Sequence, residues 1–122
     1  ADRYQVYDCD EFRRATPGAL PDFVVAGVHK GGSTALYAYL AQHGHVRPAA
    51  CKEINFLTRE TLWQRGLPFY RRHFPDMANA SYALTGEGTP NYIRNPMAPV
   101  RAAEVIPRAK IIVSLRDPTE RF

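Results

Sequence analysis

The stretch from Phe23 to Leu40 limits what this chain can fold into more than any other. Phe23-Val24-Val25-Ala26-Gly27-Val28 is a short apolar run rich in β-branched residues. Such a run reads as a strand covered on both faces. His29-Lys30-Gly31-Gly32-Ser33-Thr34 follows, with glycines to turn the chain and hydroxyl residues suited to start a helix. Ala35-Leu36-Tyr37-Ala38-Tyr39-Leu40 continues as that helix, with Leu36, Tyr39 and Leu40 at core-facing spacing and a stop near Gly44. Strand, glycine turn and helix together open an α/β unit built on a parallel sheet.

The turn also has a chemistry. Successive backbone N–H groups and the open start of a helix form an anion cradle, and Lys30 adds a positive charge. The spacing does not match a nucleoside-triphosphate loop. Gly27 and Gly32 are correctly separated, but Ser33 stands where the lysine belongs. The dinucleotide pattern of three spaced glycines is absent as well. The bland alternative is a glycine-rich turn with one exposed lysine.

Length and charge narrow the classes. The chain has 122 residues, which suits one domain, and 45% hydrophobic residues, which argues against wholesale disorder. No apolar run approaches the roughly 20 residues of a membrane span, and the first residues do not form a signal peptide. Residues 1–22 carry a net charge of −2 and residues 23–122 a net of +6, and 13 of the 16 cations are Arg. Arg suits bidentate contact with phosphate, sulfate or carboxylate, so charge alone admits a nucleotide, a nucleic acid or an anionic polysaccharide. Cys9 and Cys51 read as free buried thiols, with a bridge between them as the alternative.

Residues 1–21 form a polar leading segment and residues 22–122 the body of the domain. Trp63, Leu67, Tyr70 and Phe74 mark helical pieces within 59–74, divided around Gly66 and Pro68. A short strand is expected at 81–85, a helix at 99–106 begun by Pro99, and a clear strand at 110–115. Asn79-Ala80-Ser81 fits a glycosylation sequon, which would make the chain a glycoprotein only if it enters the secretory pathway.

Four elements in order resemble one family. His29 to Tyr37 is similar to the 5′-phosphosulfate loop of sulfotransferases that use 3′-phosphoadenosine 5′-phosphosulfate (PAPS). Ile111-Ile112-Val113-Ser114-Leu115-Arg116-Asp117-Pro118-Thr119-Glu120-Arg121 resembles that family's 3′-phosphate strand and turn. Lys52-Glu53-Ile54-Asn55-Phe56-Leu57 and Gly86-Glu87-Gly88-Thr89-Pro90-Asn91-Tyr92 resemble elements of its Golgi carbohydrate and heparan sulfate branch. The sequence departs from the pattern at His29, Gly31, Asn55 and Gly88.

The resemblance implies an α/β fold with a P-loop-kinase-like parallel sheet flanked by helices, incomplete in this fragment, and a PAPS-dependent sulfotransferase that is inactive as the fragment alone. It implies sulfuryl transfer to a carbohydrate hydroxyl, on a glycosaminoglycan or related anionic glycan, with no metal and no nucleic acid. Lys30 and Glu53 would be catalytic, the first neutralising the leaving oxygen and the second taking the acceptor proton. Lys30, Gly31, Gly32, Ser33, Thr34 and Arg116 would bind the donor, and Lys52, Glu87 and Thr89 the acceptor. The implied location is the Golgi lumen, with a membrane anchor outside this segment, or the cytoplasm for a bacterial source. An atypical nucleotide kinase, a noncatalytic anion-binding module and a protein-tyrosine sulfotransferase stand as alternatives.

Overall fold

All five residues of Phe23–Gly27 are buried, as a strand covered on both faces requires. The computed structural model describes Cys9 and residues 13–27, 33–78 and 83–114, the side chains of Ser33 and Thr34 excepted. Its elements are β1 (Phe23–Gly27), α1 (Ser33–Ala41), β2 (Val46–Pro48), α2 (Glu60–Trp63), α3 (Gly66–Arg71), β3 (Leu84–Gly88), a 3-10 turn (Pro90–Arg94), α4 (Met97–Val105) and β4 (Lys110–Val113). The strands form one parallel sheet in the order β2-β3-β1-β4. This is the mixed α/β, parallel-sheet architecture expected from the opening motif.

Alternation along β1 divides the core in two. Phe23 and Val25 face α1 and pack with Tyr37, Leu36, Leu40 and Ile112. Val24 and Ala26 face the other way, into a larger cluster with Phe56, Leu57, Tyr70, Phe74 and Tyr92. Phe56 stacks on Tyr70 at 4.3 Å between ring centroids and 11° between planes. Burying a side chain such as Phe56 or Phe74 contributes about 1.5–3 kcal/mol. The larger cluster therefore anchors the 51–58 loop as well as the sheet.

Register explains Gly86-Glu87-Gly88. Gly86 and Gly88 pair with Phe23 and Val25 and so lie on the α1 face, whereas Glu87 pairs with Val24 and points to the opposite face. A Cβ at Gly86 would come within 2.6 Å of the Phe23 ring, and one at Gly88 within 2.9 Å of Tyr37 Cγ. Glycine at both positions lets two aromatic rings lie against the strand.

Several expectations shift. The strand expected at 81–85 runs from Leu84 to Gly88, so the Gly-Glu-Gly element is strand and not turn. Tyr39 is 80% exposed, and Tyr37 takes the core position at 1%. Strand β2, three residues long and ending in proline, lay below the length at which alternation can be read. Helix α4 starts at Met97, leaving Pro99 inside its first turn. Cys9 and Cys51 form a disulfide, which replaces the free thiols expected from sequence. Residues 13–19 run beside α3, where Arg71 Nε donates to the Gly18 carbonyl at 2.7 Å and Gly18 N–H to the Arg71 carbonyl at 2.8 Å. No described helix is long and apolar enough to cross a membrane.

Candidate functional site

A parallel sheet brings the C-terminal ends of its strands to one edge, where ligands of open α/β folds are held. Here three ends meet. Thr89 N–H, just past β3, donates to the Val25 carbonyl at 3.1 Å, and Ser114 N–H, just past β4, donates to the Gly27 carbonyl at 2.8 Å. In sequence, the glycine-rich residues 28–32 join the end of β1 to the start of α1, and Arg116 follows Ser114 by two residues. Lys30, Gly31, Gly32 and Arg116 lie outside the described residues, as do Asn79 and its sequon. Ser33 and Thr34 open α1.

The 51–58 loop crosses the same edge. Glu53 N–H donates to the Gly88 carbonyl at 2.9 Å, tying the loop to the end of β3. Both Glu53 and Asn55 adopt a left-handed backbone, each with φ 61°. That conformation costs a residue with a Cβ roughly 1–2 kcal/mol. Asn55 offsets part of this by donating from Nδ2 to the Glu53 carbonyl at 2.8 Å, while its own carbonyl accepts from the Thr58 hydroxyl at 3.1 Å. The Glu53 carboxylate lies 3.7 Å from Lys52 Nζ; the Glu53 side chain is 35% exposed and that of Lys52 2%. Burial pushes the Lys52 ammonium pKa down, and the adjacent Glu53 charge partly restores it.

Behind this loop lies a polar cluster. Glu87 is fully buried. Its Oε2 accepts from the Tyr70 hydroxyl and, at 3.0 Å, from the Tyr92 hydroxyl, and its Oε1 accepts from the Thr89 hydroxyl at 2.6 Å. Burial pushes the Glu87 carboxyl pKa up, and the three donors pull it back. Burial and the Glu87 charge hold Tyr70 and Tyr92 well above the ordinary phenol range, so both keep their protons and remain donors.

The structure therefore sorts the expected site residues. Glu53 presents its carboxylate at the edge, whereas Lys52, Glu87 and Thr89 have exposures of 2%, 0% and 0%. Direct acceptor contact by those three does not fit their enclosure. The physical reason is that Glu87 sits within β3, facing the aromatic cluster, and not in an open turn. Tyr70, read from sequence only as part of the apolar pattern of a helical piece, proves to be a hydrogen-bond donor as well. Its signal was faint: a lone carboxylate between two strand glycines needs hydroxyl partners somewhere. His73 lies close to the Cys9 and Cys51 sulfurs, with ligand atoms within 4.8 Å of one another, but the disulfide uses both thiols.

Residues 20–122 match the family model described as the sulfotransferase domain. Among curated proteins, the chain is 36% identical over 114 residues to human bifunctional heparan sulfate N-deacetylase/N-sulfotransferase 3, covering 89% of this chain and 13% of that protein. It is 37% identical over 103 residues to the membrane-associated sulfotransferase kil1 of Dictyostelium discoideum, covering 84% and 21%. A solved sulfotransferase from Alicyclobacillus acidocaldarius superposes with a TM-score of 0.63 at 26% identity, over 78% of this chain and 44% of that one.

Proposed function

Because this chain belongs to the sulfotransferase domain family, we propose that it carries the donor side and the base of an enzyme moving the sulfuryl group of PAPS to a glycosaminoglycan-type carbohydrate. The observation that carries this reading is the Glu53 carboxylate, part-exposed beside Lys52 and tied to the end of β3 at the strand edge. Sulfuryl transfer is an in-line displacement through a loose transition state, so positioning and charge stabilisation supply most of the rate. An acceptor O–H or N–H loses its proton to Glu53 as the new bond to sulfur forms. The bond from sulfur to the nucleotide's 5′-phosphate oxygen breaks, and Lys30 with the N–H groups of Gly31 to Thr34 neutralises that oxygen. Arg116 holds the 3′-phosphate that distinguishes this donor from ATP. Buried Lys52, 3.7 Å from the Glu53 carboxylate, keeps it oriented.

A second reading concerns the acceptor atom. The sequence resemblance implies a hydroxyl, whereas several of the curated relatives are named N-sulfotransferases, which favours a sugar amine. The Cys9–Cys51 disulfide supports an oxidising compartment such as the Golgi lumen. The test is to titrate the full-length protein with adenosine 3′,5′-bisphosphate and with ATP. The reading expects tighter binding of the bisphosphate and loss of that preference in Arg116→Ala. Tighter ATP binding, or an unchanged bisphosphate affinity in Arg116→Ala, would overturn it. Amine-bearing and fully N-acetylated heparan as acceptors separate the two acceptor atoms.

A further inference from the structure

We infer that Glu87 is a positioning residue whose hydroxyl clamp holds the 52–57 loop in the conformation that presents Glu53. This rests on the sulfuryl-transfer reading and deepens it. Two of the three hydroxyls on Glu87 bridge to that loop. Thr89 Oγ1 accepts from Asn55 N–H at 3.4 Å while donating to Glu87, and Tyr92 Oη accepts from Leu57 N–H at 3.4 Å while donating to Glu87. A hydroxyl has one proton, so an oxygen that accepts from the loop can donate only to the carboxylate. The clamp therefore has a fixed polarity, running from loop N–H to hydroxyl to Glu87. One bridge lands on the positive-φ Asn55 and the other two residues later on Leu57, and Glu53, the other positive-φ residue, lies two residues ahead of the first.

Tyr70 is the internal control. It donates to the same carboxylate oxygen as Tyr92 and is just as buried, but its hydroxyl contacts no backbone N–H of the loop among the described residues. Glu87→Gln is nearly isosteric but puts two N–H donors where one oxygen accepted, so at least one hydroxyl loses its acceptor.

The experiment measures kcat, KM and adenosine 3′,5′-bisphosphate affinity in the full-length protein, together with urea stability. Glu87→Gln should lower kcat by about 100-fold, the loss typical of a catalytic group displaced by about 1 Å, while bisphosphate affinity stays within about twofold of the parent. Thr89→Val and Tyr92→Phe should each lower kcat by about tenfold, one hydrogen bond's worth, and Tyr70→Phe by clearly less, even at an equal loss of stability. If Glu87→Gln does not fold, the three hydroxyl variants decide alone. A kcat in Tyr70→Phe as low as in Tyr92→Phe and Thr89→Val, or an undiminished kcat in Glu87→Gln, would overturn the clamp alone. A parent protein that binds no bisphosphate and transfers no sulfuryl group would overturn the underlying reading and the clamp with it.

Discussion

Reducing the Cys9–Cys51 disulfide should destabilise the domain by up to about 4 kcal/mol. The bridge spans 42 residues and encloses β1, α1 and β2, the unit that contains the glycine turn. In the chain-entropy account, closing a loop of that length removes unfolded-state entropy worth about 4 kcal/mol at 25 °C. Cys51 immediately precedes Lys52, and Cys9 Sγ lies 3.9 Å from the Lys52 carbonyl oxygen, so the tether also steadies the start of the Glu53 loop. Urea unfolding of the full-length protein, oxidised and then reduced, reads the loss directly. With a slope of about 2 kcal/mol per molar urea, the midpoint should fall by up to about 2 M. Cys51→Ser should reproduce the reduced midpoint and not fall further on adding reductant. A midpoint insensitive to reductant, or two titratable thiols in the oxidised native protein, would refute the reasoning.

Three further outcomes follow from the packing. Gly88→Ala should cost about 1–3 kcal/mol in urea unfolding by overpacking, because Tyr37 cannot swing away: its hydroxyl donates to the Gly86 carbonyl at 2.9 Å and accepts from Ala49 N–H at 3.2 Å. Gly44→Ala, where a Cβ meets nothing within 4 Å, is the control and should not be destabilised by overpacking. Asn55→Gly should preserve the left-handed turn better than Asn55→Ala, which should lose roughly 1 kcal/mol more. Burial, with smaller contributions from Arg13 and Arg72, lowers the His73 pKa below 6.5 against the pull of the Tyr70 carbonyl. The unfolded chain then binds more protons between the folded value and 6.5, so stability falls as pH drops through that window. His73→Gln should flatten that slope in urea midpoints measured from pH 7 downward.

Strands β1 and β4, whose ends border the candidate site, were legible from sequence because their signals are local. The β-branched run at 23–28, the glycines after it and the apolar strand from Lys110 each announce themselves within a few residues. What was hidden depends on contacts between distant residues. Leu84-Thr85-Gly86-Glu87-Gly88 has poor strand propensity, and it pairs as a strand because Phe23 and Tyr37 need the space its glycines leave. Tyr37 and Tyr39 differ by half a helical turn, and the face of α1 that meets the sheet is set by the Gly88 position, 51 residues away. The burial of Glu87 required Tyr70, Thr89 and Tyr92 to converge from α3, the end of β3 and the 3-10 turn, which no spacing pattern shows. The Cys9–Cys51 bridge is likewise a contact across a 42-residue separation.

Glu53 as the base is the central claim, and Glu53→Gln in the full-length protein tests it most directly. The amide keeps the size of the side chain and leaves the backbone N–H bond to the Gly88 carbonyl in place. Adenosine 3′,5′-bisphosphate should bind the variant as tightly as the parent, while sulfuryl transfer to a heparan acceptor falls by about 100-fold or more. Transfer by Glu53→Gln at the parent's rate, with bisphosphate binding intact, would contradict the assignment.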